Sequence, residues 1–173
     1  MKKPLSVSLP YVTVENITPD KNTIKRLSFL YAGKHGELNA ILQYVYQYFY
    51  FMKFNEKETA DVLMAIALSK MERVERLGAL LLNLGIDPIC AGYLPFRCDF
   101  YRTDSVFYNK NIEKMLLDDI SNALVTIDTY KTAIDEIPFD EIKSLLIKIK
   151  LDEELHVKIL KDRLSFHSQK RRE

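Results

Sequence analysis

Ile147-Lys-Ile-Lys-Leu-Asp-Glu-Glu-Leu-His-Val-Lys-Ile-Leu160 decides how this chain reads. Together with Ile142 and Leu146 upstream, Ile149 and Leu160 fall in steps of three and four, the stripe of a helix that faces a packed neighbour. Glu153 and His156 interrupt that stripe without breaking its spacing. A carboxylate and an imidazole three residues apart on a buried helical face are two metal ligands, half of what a carboxylate-bridged pair of ions would need.

The same walk on earlier segments finds comparable stripes. Leu63, Ile66, Lys70, Arg73, Leu77, Leu80 and Leu84 form one, with two cations at its centre. Leu27, Leu30, Lys34, Glu37, Ile41, Tyr44, Tyr48 and Phe51 form a second, and Ile112, Leu116, Asp119, Ala123, Thr126, Tyr130, Ala133 and Ile137 a third. All four stripes carry polar groups near mid-length and mostly apolar residues at their ends. Buried charges cost several kcal/mol each unless paired, so Glu37, Lys70, Arg73, Glu153 and His156 are expected to meet in one internal cluster. Lys34 is expected to reach solvent along the boundary.

Punctuation divides the chain into long helices. Five Gly and six Pro occur in 173 residues. Helices are expected over about 24–53, 56–84 (stopped by Gly85 and Pro88), 109–136, and from near Pro138 onward. Short links join the first pair and the last pair, giving two antiparallel hairpins; residues 85–108 are long enough to cross the length of a bundle between them. The predicted fold is therefore all-α, a four-helix bundle over 24–166, with an extended segment at 1–23 and a polar tail at 167–173.

Composition narrows the function. Lys and Arg number 25 against 24 Asp and Glu, so no net field points to nucleic acid or a membrane surface, and the tail Lys170-Arg171-Arg172 reads as a solvated end. The longest uncharged run, Leu38 to Met52, has 15 residues, short of the roughly 18 to 20 of a membrane span. No leader-like apolar block follows Met1, and a cytoplasmic protein is expected. Cys90 and Cys98 are too few for a four-thiolate metal site and read as ordinary reduced thiols. His35 reads as a boundary residue and His167 as part of the tail. Tyr44 and Tyr48 belong to the buried stripe, while Tyr46 and Tyr50 point elsewhere, toward a dimer interface.

Three stretches then carry a resemblance: Tyr31-Ala-Gly-Lys-His-Gly-Glu-Leu-Asn-Ala-Ile-Leu-Gln-Tyr44; Met71-Glu-Arg-Val-Glu-Arg-Leu-Gly78 with Leu84-Gly-Ile-Asp-Pro88; and Asp152-Glu-Glu-Leu-His156. They resemble the rubrerythrin-like branch of the ferritin-like superfamily over about residues 31–164. The resemblance implies a ferritin-like four-helix bundle, a homodimer, and a two-iron or two-manganese site serving oxygen or peroxide chemistry, with one Glu from each of helices one and three and a Glu-x-x-His from each of helices two and four. Carried over by position, Glu37, Glu153 and His156 match. The remaining three positions hold Lys70, Arg73 and Ala123. Ammonium and guanidinium groups have donors but no lone pair for a metal. Two carboxylates balanced by two cations reach the same neutrality as four carboxylates around two divalent ions, so a degenerate, metal-free and non-catalytic site is expected, with a structural or interaction role. The alternative is a metal-dependent oxidoreductase with a remodelled iron or manganese site built from Glu37, Glu153, His156 and Asp119. A cavity for a small anion is a third class.

Overall fold

The computed structural model describes residues 3–15 and 17–170. Its helices are α1 (Lys21–Ala32), α2 (Glu37–Lys53), α3 (Lys57–Asn83), α4 (Ile112–Glu136) and α5 (Asp140–Lys170). In the crossover between α3 and α4, a two-residue strand β1 (Ala91–Gly92) pairs antiparallel with β2 (Asp99–Phe100). The packing of α2 on α3 and α4 on α5 gives the two expected hairpins, joined by the long crossover.

The first expected helix is broken in two. Gly33 N–H closes α1 on Phe29 O at 2.8 Å, and Gly36 N–H then bonds Gly33 O at 2.8 Å. A Cβ at Gly33 would lie 2.5 Å from Phe29 O, and one at Gly36 would lie 2.8 Å from Leu30 O, so only glycine fits this corner. Thr126 Oγ1 on α4 donates to His35 O, supplying a partner for a carbonyl that the broken helix leaves open. The break places Glu37 in the first turn of α2, where a carboxylate is favoured by the helix dipole.

At the other end of α3, Gly85 takes φ +78° and Ile86 N–H reaches back to Leu81 O at 2.9 Å, a left-handed helix stop. The last helix continues past the expected end at 166. His167 is buried on its final turns, with Nε2 2.9 Å from Thr59 Oγ1 and its ring against Phe51. The tail reading of His167 is thus corrected: the α5 surface there faces the α2–α3 hairpin. Of the basic tail, Arg171 and Arg172 lie outside the described residues.

Two apolar clusters fill the bundle. One gathers Leu27, Leu30, Leu77, Leu81, Ile142 and Leu146; the other gathers Phe51, Leu63, Ile66, Met115, Leu116 and Leu160. Along α3 and α5, Lys70, Arg73, Glu153 and His156 sit between the two. The extended residues 3–15 lie against α3 and α5 rather than projecting away, with Val14 buried in the first cluster.

Candidate functional site: a buried ion cluster

The i, i+3 spacing of Lys70 and Arg73 puts both cations on the same inward face of α3, opposite Glu153 on α5. Lys70 Nζ and Arg73 Nη1 both donate to one oxygen, Glu153 Oε1. The same two groups lie 3.2 and 3.4 Å from Glu37 Oε2, while Tyr130 O–H on α4 donates to Glu37 Oε1 at 2.7 Å. All five side chains are buried, with Glu37, Arg73 and Glu153 at 0% exposure. The expected cluster is present, and Lys34 is exposed as expected.

His156 completes the group. Its Nε2 lies 2.7 Å from Leu5 O, and because a carbonyl only accepts, Nε2 carries the hydrogen. Nδ1 then points to Glu153 Oε1 at 3.5 Å and has no hydrogen-bond partner; Glu153 Oε2 also lacks one. Burial lowers the imidazole pKa, against the pull of Glu153, and keeps the ring neutral. For Glu153, burial alone would raise the pKa, yet Lys70 and Arg73 hold it well below the usual carboxylate range. The same Glu153 and Glu37 charges raise Arg73 despite its burial.

A second layer of charge was not legible in the sequence. Lys148 and Asp152, one turn apart on α5, pair at 2.7 Å, both nearly inaccessible. Arg73 Nη2 lies 3.7 Å from Asp152 Oδ2, linking the two layers. Glu37, Asp152 and Glu153 thus face Lys70, Arg73 and Lys148, three anions against three cations. Asp152 and Lys148 resemble an ordinary surface pair in the sequence; residues 5–11 cover them and make them internal.

Asp119 does not join this cluster. Gln47 Nε2 donates to its Oδ1 at 2.8 Å, while Asp119 Oδ2 and Gln47 Oε1 are both buried without partners. Burial raises the Asp119 pKa well above normal, only partly opposed by the Gln47 hydrogen bond. Ala123 packs with Ile127 and Val157 in an apolar patch. Among the described residues, no group of three or more His, Cys, Asp or Glu is arranged to hold a metal ion. The donor set does not fit a metal pair: Glu153 Oε1 is taken by two cations and the α3 positions have no lone pairs.

The remaining sequence candidates lie apart. His35 is half-buried at the α1–α2 corner, with Nδ1 2.7 Å from Asn122 Oδ1. Tyr44 is buried beside the cluster, whereas Tyr46 packs at a tilt on Tyr50 and edge-on against Tyr108 near the surface. Cys90 and Cys98 are free and exposed.

No family model and no curated protein matches the chain in sequence. Among solved structures, it superposes on two crystal structures of KatB, a manganese catalase from Anabaena, with a TM-score of 0.82 and 18% identity, covering 93% of this chain and 79% of that one. The fold is ferritin-like. The cluster lies on the inward faces of α2, α3 and α5, and α3 contributes two cations to it. No helix among the described residues is long and apolar enough to cross a membrane.

Proposed function

We propose that this chain is a ferritin-like bundle, of rubrerythrin-like descent, whose central site is closed by ion pairs in place of metal ions, and that it serves as a structural or interaction module rather than as a metal enzyme. One observation carries the reading: Lys70 and Arg73 converge on Glu153 Oε1, the oxygen nearest His156 Nδ1. A divalent ion placed there would sit against two buried cations. At an effective dielectric of about 20, a divalent ion 4 Å from one unit charge is repelled by roughly 8 kcal/mol, enough to offset much of what three ligands supply.

Elemental analysis of protein purified without chelators is the test. Less than a tenth of an equivalent of iron or manganese is expected; one or two equivalents, lost in Glu153→Ala and His156→Ala, would overturn the reading. The triple change Lys70→Glu, Arg73→His and Ala123→Glu should create metal affinity, and its failure to do so would show that the positional match to the family is wrong.

A second reading, a remodelled metal-dependent oxidoreductase, draws on His156. A free Nδ1 with Nε2–H held by a carbonyl is how a ligating histidine is oriented. We also propose a cytoplasmic homodimer. Leu42, Phe49 and Met52 are exposed along the outer face of α2, with the half-buried Val45 between them packed on the core, and they form a second seam on a helix free of charge from Leu38 to Met52. A charge-free seam can meet its own copy about a two-fold axis without like-charge repulsion.

A further inference from the structure

Residues 5–11 are held by buried side chains of α3 and α5, one of which, His156, has no other partner for its Nε2–H. Leu5 O accepts from Ser69 Oγ at 2.7 Å and from His156 Nε2 at 2.7 Å. Two residues on, Val7 N–H donates to Asp152 Oδ1 at 2.7 Å. In an extended chain the C=O of one residue and the N–H of the second residue after it point the same way, so α3 and α5 read one main-chain edge. Ser6 Oγ donates to Asp152 and accepts from Lys148 Nζ at 2.5 Å. Tyr11 O–H donates to Asp152 Oδ2 at 3.3 Å, and its ring lies beneath Lys148 and Arg76. Ser69, Lys148, Asp152 and His156 are all at least nine-tenths buried.

The apolar anchorage of the segment is partial, with Leu5 and Tyr11 packed against the two core clusters. Leu5 and Val7 are only half-buried, Leu9 is 51% exposed, and among residues 5–11 no helix or strand forms. Its polar attachment engages backbone atoms at Leu5 and Val7 together with the Ser6 and Tyr11 hydroxyls, the pattern of a bound peptide more than of a core element.

We propose that the groove between α3 and α5 is a binding site for an extended peptide, filled in cis by residues 5–11, and that release of this strap is what opens the buried ion cluster. The recognised chemistry is a carbonyl at one position, a small hydroxyl next, an N–H after it, and a tyrosine four residues further on. This site is independent of whether the cluster beneath holds a metal.

The experiment uses the full chain carrying Val7→Pro, which removes the N–H that Asp152 accepts, and a fluorescent synthetic peptide of residues 3–14. Saturable anisotropy is expected with the variant. Wild type should bind the peptide at least about tenfold more weakly, because its tethered strap competes at an effective concentration on the order of millimolar. Adding Ser69→Ala should weaken binding about three- to tenfold, and the His156 ring resonances should shift on binding as Nε2 regains its carbonyl. Tyr11→Ala, checked by circular dichroism, is a second strap-weakening variant. The proposal is overturned if the peptide binds neither folded variant, binds wild type equally well, or is indifferent to Ser69→Ala. Loss of the fold in Tyr11→Ala would also overturn it, by making the strap an integral part of the core.

Discussion

Removing one cation from a neutral buried cluster should be costly, and Lys70→Met isolates that cost. Met roughly preserves the length and apolar stem of the side chain while deleting the ammonium. Lys70 Nζ lies 3.2 Å from Glu37 Oε2, worth roughly 5 kcal/mol at an effective dielectric of about 20, and the contact with Glu153 contributes about as much again. Repulsion from Arg73, which shares both carboxylates, and desolvation of the ammonium each offset several kcal/mol of this. The net loss is about 3 kcal/mol, readable as a lowered denaturation midpoint at unchanged m-value. Glu153 fixes the pH dependence: its folded pKa is depressed, so the stability it contributes is present above the unfolded value and lost as pH falls through the folded one. Lys70→Met removes a cause of that depression, so its deficit should be largest at neutral pH and shrink below about pH 4. Adding Glu153→Gln restores neutrality with Arg73 on Glu37, and the double variant should recover at least half the loss. An unchanged midpoint for Lys70→Met, or a double variant no better than the single one, would refute the buried-cluster account.

Asp119→Asn supplies a donor where Asp119 Oδ2 and Gln47 Oε1 now face each other's surroundings unpaired. Because the Asp119 pKa is raised in the folded state, its contribution is full in acid and lost as pH rises, so the variant should match wild type near pH 4 and gain about 1 to 2 kcal/mol by pH 8 in denaturant titrations. Phe49→Glu places a charge on the outer α2 seam, where Phe49 is 64% exposed; sedimentation equilibrium should show a dimer for wild type and a monomer for the variant, and a monomeric wild type would sink the interface.

What the sequence revealed and what it hid divide along one line. Periodicity is local, so the stripes through Lys70, Arg73, Glu153 and His156 could be drawn from spacing alone, and burial energetics then required the charges to meet. The break at Gly33–Gly36 escaped because the heptad-like spacing continues through it; Leu30, Lys34 and Glu37 keep step although Lys34 turns to solvent. Gly33 and Gly36 were the available signal. Lys148 and Asp152 were hidden for a different reason. Their i, i+4 spacing is that of a solvated pair, and only the long-range placement of residues 5–11 makes it internal. His167 reads as tail because nothing nearby in sequence announces Thr59 and Phe51.

Replacing a buried ion cluster by well-packed apolar groups is often neutral or stabilising, so ion pairs need a reason beyond stability. Here the constraint is geometric. Glu37 is set by the glycine corner at the start of α2, and Glu153 lies in the stripe of α5 between two apolar clusters. Once both carboxylates are inside, they need about two units of positive charge, and α3 is the element whose i, i+3 positions face them together. Lysine and arginine reach one oxygen of Glu153 from consecutive turns, while Tyr130 covers the far oxygen of Glu37. On this account the cations depend on the carboxylates: Glu37→Gln and Glu153→Gln together should make Lys70 and Arg73 the destabilising residues, and adding Lys70→Met to that double variant should raise its denaturation midpoint. A further fall would show that Lys70 is held by packing rather than by charge.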